Sequence, residues 1–203
     1  MENQSTGKAE EIKEQENNNR NKMAIAKKKK KFFDVEMPIL RKTTTLYAFT
    51  QKELEGRTIK YDLTRLLRGK NSLISLKVQA DGENLTSIPV ELNILPYFIR
   101  KMVRKGTNYV EDSFSTNCKD SVIRIKPFLV TRRKVSRAVR KALREKAKEE
   151  LIDYVKNQTV EKIFEEVLKN TLQKTLSLKL KKIYPLSLCE IRVLKVENPL
   201  KQQ

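Results

Sequence analysis

The rhythm of apolar and polar positions changes twice along this chain, and each change marks a new kind of element. Residues 1–26 hold almost no apolar side chains and show no period, so they are expected to be disordered. Lys27, Lys28, Lys29, Lys30 and Lys31 follow as an uninterrupted run, which predicts an extended basic arm. From Phe32 onward a two-residue alternation sets in. Phe32–Glu36, stopped by Pro38, predicts a short edge strand, and Thr43–Phe49, rich in β-branched and aromatic residues, predicts a second. Ile59, Tyr61 and Leu63 alternate with Thr58, Lys60 and Asp62, the pattern of a half-buried strand. Leu73–Ala80 and Leu85–Leu92 flank Asp81-Gly82-Glu83-Asn84, a hairpin signal with a loop of about four residues. Pro89 places the second arm at a sheet edge or at a bulge.

Pro96 suits the first turn of a helix to Lys105 that Gly106 ends. Asn108–Thr116 and Ser121–Val130 return to strand patterning. The second change comes at Arg132, where a helical period begins and runs to about Asn157. Thr159 is placed to cap a further helix carrying Val160, Ile163, Phe164, Val167 and Leu168 on one face. Leu172–Ile183 is a third helical stretch, and Ser187–Glu197 is a closing strand. The order predicts an α+β fold: an antiparallel, curled or barrel-like sheet with three to four helices, mostly in the C-terminal half. Residues 32–197 are expected to form one α+β domain, flanked by the tail 1–26, the arm 27–31 and a short tail at 198–203.

Charge narrows the partners. Lys and Arg number 44 against 25 Asp and Glu, a net charge of +19. Such an excess strains the compact state and is relieved by a polyanion, with nucleic acid ahead of acidic membrane surfaces. No stretch approaches the roughly 18 uninterrupted apolar residues of a membrane span. Histidine is absent, and the two cysteines, Cys118 and Cys189, are too few for a Cys/His zinc site. They read as reduced small hydrophobes, which points to the cytoplasm. No cofactor is expected. None of the glycines forms a dinucleotide fingerprint, and Gly69-Lys70 is preceded by Thr64 where a phosphate loop needs glycine. The carboxylate pairs Glu111-Asp112 and Asp34/Glu36 read as solvated strand positions, so no catalytic group is assigned.

The segment Arg124–Lys148 contains 11 basic residues and one acid, Glu145. Arg133, Arg137, Arg140, Lys141, Arg144 and Lys148 share one side of a helix at about 100° per residue, with Val135, Val139, Ala142 and Leu143 opposite. Guanidinium groups present paired donors that fit phosphate. Arg132, Arg133, Lys134, Arg137, Arg140, Lys141 and Arg144, with the lysine arm, are therefore the expected RNA contacts. A merely solvated face would mix signs, and this one lacks acids until Glu149-Glu150 apart from Glu145. The alternative is a basic adaptor that binds acidic partners or a membrane surface, against which the small apolar face of Val and Ala counts. Beyond Lys146 the apolar positions drift to Ala147, Leu151, Tyr154 and Val155, so the helix bends or its second half packs on another face, and only the first half is expected to meet nucleic acid. Arg65, Arg68, Lys70 and Arg100–Lys105 add charge elsewhere, as in a protein surrounded by RNA. Most aromatics read as core. Phe32 and Phe33, beside the lysine arm, are the candidates for base stacking.

Several segments also resemble a known family. The basic arm is followed by Phe32-Phe33-Asp34-Val35-Glu36-Met37-Pro38, then Leu54-Glu55-Gly56-Arg57 and Tyr61-Asp62-Leu63. Ile123-Arg124-Ile125-Lys126-Pro127-Phe128, the basic stretch Thr131–Arg144, Ile183-Tyr184-Pro185-Leu186 and Ile191–Val196 follow in order. Over about residues 27–197 the chain resembles the S-three-a-e family of small-subunit ribosomal proteins of archaea and eukaryotes, eS-one in unified naming. The short C-terminus looks archaeal. The family often has Trp or Tyr where this chain has Phe32-Phe33. The resemblance implies a non-catalytic structural constituent of the ribosome, located at the small-subunit platform near the mRNA exit. It implies small-subunit rRNA, neighbouring small-subunit ribosomal proteins and mRNA near the exit as partners, and no membrane.

Overall fold

In the computed structural model, which describes residues 29–82 and 84–199, nine strands form one sheet, and three of the four α-helices pack on it. The tail 1–26, Lys27 and Lys28 lie outside the described residues, as do residues 200–203. The strands are β1 (Lys31–Met37), β2 (Lys42–Ala48), β3 (Thr58–Asp62), β4 (Ser72–Asp81), β5 (Asn84–Ile94), β6 (Tyr109–Glu111), β7 (Phe114–Asn117), β8 (Ser121–Thr131) and β9 (Leu186–Pro199). The helices are α1 (Pro96–Met102), α2 (Arg137–Lys156), α3 (Val160–Leu168) and α4 (Thr171–Leu180).

The α+β class holds, with three of the four helices after residue 136. The sheet is open, not closed into a barrel, and it is mixed. Its main path runs β2-β1-β5-β9-β8-β6, with β4 on β5, β3 on β4 and β7 on β8. β1 meets β5 in parallel at Glu36↔Thr86, and every other pairing is antiparallel. The Ser87 hydroxyl donates to the Glu36 carbonyl at 3.0 Å and closes that junction. β5 is therefore a central strand, so Pro89 does not mark an edge. It does sit at a bulge: Ser75 pairs Glu91 while Leu76 pairs Pro89, leaving Val90 over. A bulge is how a central ladder tolerates a residue without an N–H. The β4–β5 ladder continues to Asp81↔Asn84, so the turn is two residues long rather than four, with Gly82 at φ 66°.

The long β8–β9 ladder is the spine of the C-terminal half. Its register slips at three points, leaving Glu197, Arg192 and Ser187 as extra residues on β9. The expected strand Asn108–Thr116 is two strands, interrupted where the Asp112 carboxylate accepts the Ser113 N–H at 2.8 Å. α1 stops at Met102, short of Lys105, because Val103 turns to an extended conformation at φ −84°, ψ 117°.

The helices bury the faces that their spacing dictates. α3 buries Val160, Ile163, Phe164 and Val167. Thr159 is its N-cap residue but its side chain caps nothing; Asp120, from the β7–β8 turn, accepts the Val160 N–H at 3.4 Å instead. α4 buries Leu172, Gln173, Leu176 and Leu180, ending before Ile183. Both cysteines are free thiols, Cys118 buried and Cys189 partly so. Lys70 is also internal: its ammonium is ion-paired to Glu190 on β9 and donates to Asn170 Oδ1 at 3.1 Å. That pair ties the β3–β4 loop to the α3–α4 turn, where Asn170 adopts a left-handed conformation at φ 58°.

Candidate nucleic-acid interface

The arginine helix starts five residues later than its pattern suggests. Thr131, at the end of β8, is fully buried, and its hydroxyl donates to the Arg133 carbonyl at 2.7 Å. Asn108 Oδ1 accepts the Val135 N–H at 2.9 Å. These two bonds hold residues 132–136 as a pinned loop, with Arg132, Arg133 and Lys134 exposed on it. Ser136 then caps α2, its hydroxyl accepting the Val139 N–H at 3.4 Å. The side-chain acceptor at Ser136 starts the helix there and leaves Arg133 outside it.

α2 needs no bend. Its buried stripe is Leu143, Ala147, Leu151 and Val155, extended by the half-buried Val139, every step being four residues. Four residues at about 100° each overshoot a full turn by about 40°, so a stripe of fours winds around a straight helix. α2 packs on β6, β7 and α4, with Lys148 over Phe114 of β7 and the later residues Glu150, Leu151 and Tyr154 facing Leu172 and Leu176 of α4. Ala142, expected on the apolar face, is exposed.

Arg137, Arg140, Lys141 and Arg144 line a groove of about 330 Å³ whose other wall is Tyr109, Val110 and Glu111 of β6. Val110 is buried, so by alternation Tyr109 and Glu111 face out. Tyr109 is 55% exposed and stacks on the buried Phe128 ring with centroids 5.9 Å apart. Glu111 is the groove's one carboxylate, and Arg192 Nη1 from β9 holds both its oxygens at 3.2 and 3.3 Å. Among the described residues, Arg137, Arg140 and Arg144 form no ion pair, and Arg140 Nε is buried without a hydrogen-bond partner. No acid stands in the first turn of α2. Cations there oppose the helix dipole, and an anion would relieve both the repulsion and the open N–H groups.

Beyond Arg144 the cations of α2 itself have partners. Lys146 lies 3.3 Å from Glu149 and 3.5 Å from Glu150, and Lys148 Nζ sits 5.8 Å from the centre of the Phe114 ring. Glu150 also takes the Lys179 ammonium at 2.5 Å; that bond, opposed by desolvation, holds its carboxyl below the ordinary range. Along α2 the cations with neither an ion pair nor a ring contact among the described residues are thus Arg137, Arg140 and Arg144, in its first turns, while Lys141 lies 3.7 Å from Glu145.

The remaining candidates lie elsewhere. Lys29, Lys30 and Lys31 are exposed at the start of β1, far along the sheet path from β6. Phe32 is 73% exposed, whereas Phe33 turns inward and packs against the core. Arg65 and Arg68 are exposed, and Lys70 is buried in its pair. Arg100 lines an adjoining cleft of about 480 Å³ with Pro96, Ile99 and Arg192, which shares Tyr109 and Glu111 with the α2 groove. Reading the aromatics as core missed Tyr47, Phe49 and Tyr109, which are 51%, 41% and 55% exposed. Strand parity carried the signal for two of them, since buried Ala48 and Val110 turn Tyr47 and Tyr109 outward.

Compared with known proteins, residues 18–199 match the model of the Ribosomal S3Ae family. No curated protein matches the chain.

Proposed function

Because the chain belongs to the Ribosomal S3Ae family, and so is a structural protein of the small ribosomal subunit, we propose that it binds small-subunit rRNA through phosphate contacts centred on the Arg132–Arg144 block. The observation that carries this reading is the trio Arg137, Arg140 and Arg144, three guanidinium groups on one groove with no carboxylate partner among the described residues. Side chains three and four apart on a helix stand about 5–6 Å from each other at Cβ. They can therefore grip successive phosphates of one strand, each by a planar fork. Arg132, Arg133 and Lys134 extend the surface from the pinned loop, and Lys141 widens it. Lys29, Lys30 and Lys31, toward the other end of the sheet path, form a second contact with RNA, to which Lys27 and Lys28 add charge.

Charge at separated places suits a protein embedded in RNA at the subunit platform near the mRNA exit, in the cytoplasm, with neighbouring ribosomal proteins and mRNA close by. The family is one of structural proteins and not an enzyme class, and no catalytic role is assigned to this chain. A membrane-surface role is disfavoured because Val139, Leu143, Ala147 and Leu151, the residues an inserting helix would use, are committed to the protein's interior. The test is assembly. Arg137→Glu/Arg140→Glu/Arg144→Glu, all on partly or fully exposed positions, should fold as the parent does yet be absent from the small-subunit peak of a sucrose gradient. Normal incorporation of the triple variant would move the RNA face away from α2.

A further inference from the structure

The outward face of the β1–β2 hairpin carries a cluster of rings that the fold does not use. Along this hairpin Val35, Met37 and Ala48 are buried and Phe33 and Leu46 pack inward, so alternation turns Phe32 and Tyr47 to the outside. They are direct cross-strand partners, with ring centroids 4.9 Å apart at an interplanar angle of 41°. Phe49 follows immediately after β2 and is 41% exposed, beside Phe32 at 73% and Tyr47 at 51%. Lys30 Nζ hangs 5.5 Å from the Tyr47 ring centre and 5.2 Å from that of Phe49. Arg57 reaches the same end of β2, donating from Nη1 to the Tyr47 carbonyl at 3.4 Å. β2 ends the sheet path, so among the described residues no strand flanks the cluster on that side.

We propose that Phe32, Tyr47 and Phe49 form a stacking platform for unpaired bases of single-stranded RNA, with Lys30 and the exposed Lys29 holding the adjoining phosphates. Base faces stack on exposed rings whatever their sequence, and a row of cations beside the rings tracks the backbone. Charge complementarity selects this occupant. Exposed rings alone would also suit a protein, but Lys30 over two of the rings, with Arg57 at the same end of β2, matches a polyanion. Asp34 and Glu36 stand further along β1 on the same face, and Glu53, whose carboxylate accepts the Phe49 N–H at 2.9 Å, borders the platform at its other end. This site is separate from the groove on α2, which has phosphate-binding cations and a single ring. It concerns unpaired bases, whereas that groove needs only a backbone.

The experiment measures binding of the full chain to a labelled single-stranded uridine decamer and to a ten-base-pair RNA duplex. Phe32→Ala/Tyr47→Ala should weaken decamer binding about tenfold or more and leave duplex binding and the salt dependence unchanged. Tyr47→Phe should bind both as the parent does. Phe32→Leu/Tyr47→Leu keeps the apolar bulk without the π face and should lose the decamer in the same way, which separates stacking from a folding defect. Equal losses on both RNAs, or none on either, would overturn the platform. So would variants that keep decamer affinity but fail to enter small subunits, because the patch would then face a protein. The Arg137→Glu/Arg140→Glu/Arg144→Glu variant weakens both RNAs by charge, so failure of the helix reading gives a different pattern from failure of this one.

Discussion

Lys70→Met tests whether a cation in a basic protein is a contact or a staple. In the sequence Lys70 belongs with Arg65 and Arg68 as outward charge, but its side chain is only 12% exposed and Glu190, its partner, 17%. Removing one member of a buried pair strands the other and costs about 3–5 kcal/mol. The residual exposure of both groups argues for the lower end, about 3 kcal/mol. For a domain of this size each kcal/mol moves Tm by about 2–4 °C, so thermal unfolding should fall by about 6–12 °C. The double replacement Lys70→Met/Glu190→Leu removes both charges and should recover most of that loss. RNA affinity per folded molecule should not change, nor should its salt dependence. Circular dichroism melts and RNA titrations on the same preparations read the two quantities separately. An unchanged Tm together with a shallower salt slope would refute the assignment and return Lys70 to the RNA surface.

Two other outcomes follow from the packing. Asp120→Ala removes the acceptor that caps α3 from outside the helix and should cost about 1 kcal/mol in denaturant unfolding, whereas Thr159→Ala, whose side chain caps nothing, should cost distinctly less. Burial, with the Glu190 carboxylate beside it, pushes the Cys189 thiol up to about 12. A raised thiol stays protonated at pH 8, so Cys189 should react with a thiol reagent roughly a thousandfold more slowly in the folded chain than in denaturant. The folded-state rate should still climb with pH beyond about pH 10, where an ordinary thiol would have levelled off.

The parts of this fold legible in the sequence are those with a single strong period. Ile59 and Tyr61 against Lys60 gave β3, the Asp-Gly turn gave the β4–β5 hairpin, and the spacing from Val160 to Val167 gave α3. What failed depended on partners distant in the chain. Nothing local announces that β1 runs parallel to β5, because that pairing joins Glu36 to Thr86 across 50 positions. The start of α2 was misplaced because Thr131 and Asn108 pin residues 132–136 through side-chain bonds that periodicity cannot see. The drift of apolar positions past Lys146 was visible, but its meaning required α4, the surface on which the second half of the stripe lands. At the candidate interface the arginines could be found by spacing alone. Their lack of ion partners, the role of Tyr109 as the facing wall and the removal of Glu111 by Arg192 could not, since β6 and β9 supply them.

The central claim, that the cations from Arg132 to Arg144 neutralise phosphates, is tested most directly by the salt dependence of RNA affinity. Binding of the full chain to a small-subunit rRNA transcript should weaken linearly in log K against log salt, and Arg137→Gln/Arg140→Gln/Arg144→Gln should reduce the magnitude of that slope by about 2–3, close to 0.7–0.9 for each phosphate released. A slope identical in parent and triple variant would contradict the account.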